Sequence, residues 1–229
     1  MTSETPETAP HCLSAQDARR LLQWHRGHRR EYPWRLESEP YRIVVTELML
    51  VRTRADQVAG VWQSFFKAYP TIEFLARAPQ NEVTESLRPL GLAWRAVMVA
   101  RFASAAVHDQ DWPSHLSELP GCGPYVADAV TLARLGRGRL PVDVTIARVI
   151  ARYWALSPNG EPRRDGGVLA HAEAMGVRSR RFFHAWLDLA AAACKPGTPH
   201  CEQCPLLCCL SRGRIRVTSE RPRRLAPEM

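Results

Sequence analysis

Leu119-Pro120-Gly121-Cys122-Gly123-Pro124-Tyr125-Val126-Ala127 sits between two stretches whose apolar residues recur at helical spacing, Ser114 to Leu119 before it and Val126 to Leu135 after it. Two glycines around one residue allow a tight turn whose amides no side chain shields. The second helix begins there, so its first amides and positive dipole end face outward. Such a joint can dock a phosphate-sized anion, or it can be the plain corner of a helical bundle.

The helical period continues on both sides. Ser14 reads as an N-cap with Asp17 in the place of a capping-box acid, opening a helix that runs to about His28 and stops before Pro33. Tyr41 to Tyr69 predicts two helices with a break near Thr53 to Asp56. Further helices are expected at Thr71 to Ala76, Asn81 to Leu87, Trp94 to His108, Val144 to Trp154 and Arg180 to Ala193. Strand alternation is nearly absent, and Gly- and Pro-rich joints fall at 89–91, 120–124, 136–141 and 157–167. The fold class is all-α.

The 229 residues suffice for one large or two small domains, and 45% apolar with 24% charged residues is the balance of an ordinary globular protein, which excludes global disorder and fibrous repeats. The longest apolar stretches, such as Ala190 to Cys194, are too short to span a bilayer, and the first residues lack a signal peptide's pattern. A cytoplasmic protein without a membrane partner is expected. The net charge of +8 comes from 29 Arg and only 2 Lys, which admits nucleic acid as a partner. Six of those Arg lie in residues 211–229, which with residues 1–12 read as flexible.

LPGCGPYVADAV, followed sixteen residues after Tyr125 by Pro141-Val142-Asp143-Val144, resembles the helix-hairpin-helix and catalytic Asp of the endonuclease III superfamily of DNA glycosylases. YPWR at 32–35, PYRIVVTELMLVRTRADQV at 40–58 and a late cysteine cluster extend the resemblance over nearly the whole chain. It implies a six-helix domain over about 36–137 carrying the hairpin. A second helical domain would join 1–35 to 138–229 and end in an iron-sulfur cluster loop. DNA would lie between the two, gripped through Gly121, Gly123 and Val126 of the hairpin, by a monomeric, nucleoid-associated enzyme.

The resemblance also assigns roles. Breaking an N-glycosidic bond builds positive charge on the deoxyribose, and Asp143 is the carboxylate that would stabilise it and align water; by position alone it is an N-cap, and it can be both. Glu47, on an otherwise apolar helix, would face the extruded base as an acid or hydrogen-bonding group, since an apolar pocket favours the protonated carboxyl; alone it could be a solvated face position. Tyr125 stands where bifunctional members carry a Schiff-base Lys, so the expected enzyme is monofunctional and leaves an abasic site. Arg52 or Arg54 would fill the gap left by the flipped base, or be surface charges. The Val51-Arg52-Thr53 sequence differs from the Gln-Gln-Thr usual in adenine-removing members, and few residues follow the cysteines where those members carry a recognition domain. Both points favour thymine or uracil opposite guanine. The rivals are an adenine glycosylase acting opposite guanine or 8-oxoguanine, and a catalytically inactive DNA-binding iron-sulfur protein.

Five of seven cysteines fall between 194 and 209. Thiols so close in a cytoplasmic chain bind something rather than pair. Zinc ordinarily uses two separated C-x-x-C knuckles, and here there is one. Cys194-x6-Cys201-x2-Cys204 with a following proline resembles the superfamily's [4Fe-4S] loop. Its fourth ligand would come after five intervening residues, where Leu210 stands; Cys209 is the nearest candidate and Cys208 the alternative. Cys12 and Cys122 read as bystanders.

Overall fold

The structure is a computed structural model and describes residues 13–177 and 179–215. Cys12, the leader 1–12 and the tail from 216 lie outside the described residues. In chain order the helices are α1 (Ala15–His28), α2 (Pro40–Leu50), α3 (Ala55–Ala68), α4 (Ile72–Arg77), α5 (Gln80–Leu87), α6 (Trp94–Ala106), α7 (Pro124–Leu135), α8 (Val144–Tyr153), α9 (Gly166–Met175) and α10 (Arg180–Ala192). Among the described residues there is no strand, only one bridge between Gly138 and Val177. The all-α class holds.

Buried side chains form two clusters. One runs from Tyr41 to Val130 and is built by α2 to α7, with Phe65, Phe102 and Val99 at its centre. The other unites Leu21 of α1 with Leu132 to Leu206, around Ile150, Trp186 and Leu189. Helix α7 serves both, with Val126 and Val130 in the first and Leu132 in the second. That shared helix brings the hairpin, α2 and α10 together.

Local chemistry accounts for most boundaries. Ser14 Oγ accepts from the Asp17 amide at 3.0 Å, as an N-cap should. Asp17 is no capping-box acid, however. Its fully buried carboxylate accepts from Tyr153 Oη at 2.9 Å and from the amides of Leu207 and Cys208 at 3.1 and 2.9 Å, tying α1 and α8 to the cysteine loop. Two other expectations fail. Ser114 to Leu119 forms no α-helix but part of two 3-10 turns, Trp112–Ser114 and Leu116–Glu118, because Pro113 and Pro120 leave too few residues for a lasting α turn. Helix α9 emerges from what reads as a joint, since Asp165 caps it by accepting from the Val168 amide at 3.0 Å while Gly166 and Gly167 fill its first turn. At the start of the tail, the Ser211 amide donates to Arg152 O at 3.2 Å, and Arg212 donates to the carbonyls of Cys204 and Leu206.

Candidate active site at the hairpin and the helix junction

Gly121 has φ of +81°, and a Cβ there would lie 2.7 Å from Leu48 Cδ2 and 2.9 Å from Met98 Cγ, so only glycine lets the hairpin seat on α2 and α6. Gly123 is the N-cap of α7 and is exposed, with Pro124 at the first helical position. The Cys122 amide is spent on Leu119 O at 3.0 Å. Among the described residues, the amides of Gly121, Gly123, Tyr125 and Val126 have no protein acceptor, so they point a cluster of donors outward at the positive end of α7. Val126 contributes through this amide alone, because its side chain is buried in the first core. The thiol of Cys122 is buried and burial pushes it up to about 12, which makes it inert.

From this turn Tyr125 comes up to Glu47 on α2, close enough for each group to act on the other's titration. Asp143 is near enough to both to make itself felt. Burial is the largest influence on Glu47 and, after partial offset by Tyr125 and with the help of the negative Asp143, pushes it up to about 7. Burial also pushes the Tyr125 phenol upward, aided by the same two carboxylates. Glu47, Tyr125 and Asp143 are thus brought together from α2, α7 and the start of α8.

Asp143 is the N-cap of α8. Its Oδ1 accepts from the amides of Thr145 at 2.9 Å and Ile146 at 2.7 Å, and Thr145 Oγ1 lies 2.8 and 2.9 Å from its two oxygens. The cap therefore orients the carboxylate and leaves Oδ2 with one protein donor. Thr145, two residues away, is a part of the site that sequence reading missed.

A cleft beside Glu47 is lined by Trp34, Ile43 and Thr46 on one side and by Ala129, Leu132, Arg180, Phe183 and His184 on the other. Its open volume is about 30 Å³, enough for a water or two, so a nucleobase enters only if side chains give way. His184 is held neutral: burial above all, then the Arg35 and Arg180 charges, push it down to about 3. Arg180 donates to the carbonyls of Arg35 and Glu37 and so holds the 3-10 turn Pro33–Leu36 that carries Trp34. No spacing rule could have linked α10 to Glu47, more than 130 residues earlier.

Arg52 and Arg54 occupy the turn between α2 and α3, both exposed and, among the described residues, without a carboxylate partner. Arg52 has φ of 55°, and Arg54 is the N-cap position of α3.

Among the late cysteines, Cys194, Cys204 and Cys209 sense one another, and Cys209 also senses Cys201. Burial first, then these neighbours, push Cys204 up to about 11 and Cys209 upward. Cys208 instead is exposed, with its thiol 3.8 Å from Ser14 Oγ. Arg152 binds the group from one side, its Nη1 3.5 Å from Cys194 Sγ and its carbonyl 3.4 Å from Cys209 Sγ. Among the described residues, no three Cys, His, Asp or Glu side chains converge closely enough to hold a metal ion.

Residues 45–165 match the model of the HhH-GPD superfamily base excision DNA repair proteins. A thymine/uracil-DNA glycosylase from Methanothermobacter thermautotrophicus is 30% identical over 192 residues, 80% of this chain and 87% of that one. An adenine DNA glycosylase from Mycobacterium tuberculosis is 32% identical, over 89% of this chain and 70% of the relative. The structure of a thermostable thymine-DNA glycosylase superposes with a TM-score of 0.71 at 28% identity, covering 82% of this chain and 90% of that chain. By its hairpin, its helix order and these matches, the chain belongs to the HhH-GPD superfamily of base excision DNA repair proteins.

Proposed function

We propose that the protein is a monofunctional DNA glycosylase that removes thymine or uracil opposite guanine and leaves an abasic site. A DNA N-glycosylase acting on double-stranded DNA with a damaged or mismatched base is what its family and named relatives support. The observation that carries the finer reading is the meeting of Glu47, Tyr125 and Asp143 with no amine among them.

As the C1′–N bond breaks, its electron pair leaves with the base and positive charge builds on the sugar. Asp143, fixed by Thr145 and Ile146, stabilises that charge and receives the proton shed by the water whose oxygen bonds to C1′. Glu47, with a carboxyl near neutrality, hands a proton to the departing base. Tyr125 lowers Glu47 against the effect of burial and, as a phenol, forms no Schiff base. The neutral His184 offers one donor and one acceptor, which complements the keto oxygen and ring N–H of a pyrimidine. The free amides of the hairpin hold backbone phosphate without reading sequence, with Arg52 or Arg54 at the gap. The two hydrophobic cores serve as the two domains, with DNA in the groove between them.

Cys194, Cys201, Cys204 and Cys209 supply four thiols, the donor set a [4Fe-4S] cluster takes. Cys208 turns away, which favours Cys209 as the fourth ligand. When bound, the cluster would supply cross-linking of the C-terminal loop. The test of substrate is base release from labelled duplexes containing G·T, G·U, A·8-oxoguanine and A·G. Release from the first two supports the reading, and release confined to the adenine pairs overturns it.

A further inference from the structure

Arg95, in the first turn of α6, is fully buried and has no carboxylate partner among the described residues. Its guanidinium is satisfied by neutral acceptors on two separate segments. On the end of α2 and the turn after it, it donates to Leu48 O at 3.2 Å, Val51 O at 2.6 Å and Thr53 Oγ1 at 2.6 Å. On the joint between α5 and α6 it donates to Leu90 O at 3.2 Å and Gly91 O at 2.6 Å. A cation at the carbonyl end of α2 also meets that helix's negative pole.

The residue following each of the two closest carbonyls is strained. Arg52 follows Val51 with φ of 55°, and Leu92 follows Gly91 with φ of 57°. Side chains with a Cβ hold such angles only where the surroundings fix them. Both tips face out: Arg52 is exposed, Leu92 is 42% exposed, and Val51 and Trp94 beside them are open as well. Trp94 lies against the clamp, its ring centre 5.8 Å from the Arg95 guanidinium carbon.

We propose that Arg95 is a positioning residue for base extrusion, pinning the Arg52 and Leu92 turns side by side so that they enter the duplex as one rigid tip. The inference rests on the glycosylase reading. A side chain that fills the space of an extruded base works only if it cannot retreat, and a buried five-bond clamp supplies that stiffness where two loops alone would not. Arg95 touches no reacting atom.

The test compares wild type with Arg95→Lys, which keeps the charge but not the fork, and with Thr53→Val, which removes one acceptor and keeps the core. Single-turnover base release is measured on a fully paired G·T duplex and on the same thymine placed unpaired in a bulge, with 2-aminopurine beside the target reporting extrusion. The expected result is a loss of roughly tenfold to a hundredfold on the paired duplex for Arg95→Lys, with a smaller loss for Thr53→Val. The bulge should stay within about twofold of wild type, because misplacement matters only where extrusion is needed. Equal losses on both substrates, or none on either, overturn the proposal. If wild type releases base from neither, the glycosylase reading fails. The 2-aminopurine signal then decides for Arg95 alone, its loss in Arg95→Lys supporting the clamp and its retention overturning it.

Discussion

The phenol of Tyr125 acts on the carboxyl of Glu47 and lowers it, and that approach ties the hairpin to α2. Because Tyr125 favours the ionised carboxylate, it opposes the larger effect of burial, which leaves Glu47 at about 7. Proton donation by Glu47 should therefore weaken as pH rises through about 7, giving base release a falling limb there. Tyr125→Phe removes the lowering contact and should move that limb to higher pH. Single-turnover rates between pH 5 and 9 check this, and an unmoved limb would separate Tyr125 from Glu47 in function. The sign for stability is the same. The folded carboxyl binds its proton more tightly than the unfolded one at about 4.5, so stability falls as pH rises from there through about 7.

Asp143→Asn should cut base release by about 10²- to 10³-fold, the usual effect of removing one fixed electrostatic contact to a developing charge. Asn caps helices as well as Asp does, so α8 and duplex affinity should survive. Release rates paired with a gel-shift titration check both halves.

Asp188 on α10 anchors the turn that carries Trp34. It receives Arg35 in a two-pronged bond at 2.6 and 2.7 Å, Arg30 Nε at 2.6 Å and His25 Nε2 at 3.0 Å. Burial alone would raise its carboxyl, but Arg35 and Arg30 outweigh that and hold it at about 2. Its contribution to stability is thus full above the unfolded value of about 3.8 and is lost as pH falls through about 2. Asp188→Ala, which leaves the buried Arg35 unpaired, should cost about 3–5 kcal/mol by urea unfolding at neutral pH.

Iron content offers a direct check on the late cysteines. Cys209→Ser should lose iron and its absorption near about 400 nm, whereas Cys208→Ser should keep both. The reverse result would reassign the fourth ligand, and zinc in place of iron would replace the cluster.

Much of the fold was legible because its signals are local. Apolar residues at helical spacing marked α2, α3, α6, α8 and α10, and the Gly121 and Gly123 turn marked the start of α7. Helix α9 was hidden because two glycines open it, though Asp165 before them was the cap that could have revealed it. The paired prolines defeated the reading of 114–119 for the opposite reason, since the apolar spacing was there without room for an α turn. At the site, Glu47, Tyr125 and Asp143 were readable from motifs. His184, Arg180, Asp188 and Arg95 were not, because each acts across the tertiary structure on a residue far away in the chain. Asp17 shows the limit most clearly. Its position beside an N-cap suggested one local role, and its buried carboxylate serves a loop 190 residues later.

Tyr125 offers no amine for a Schiff base, so in the reaction proposed above base release ends at an abasic site. The most direct measurement is strand breakage of an end-labelled G·T duplex after incubation with nuclease-free protein, with and without hot alkali, alongside borohydride treatment of the mixture. A monofunctional enzyme gives breakage only after alkali and no protein–DNA adduct. Breakage without alkali, together with a borohydride-trapped adduct, would contradict it.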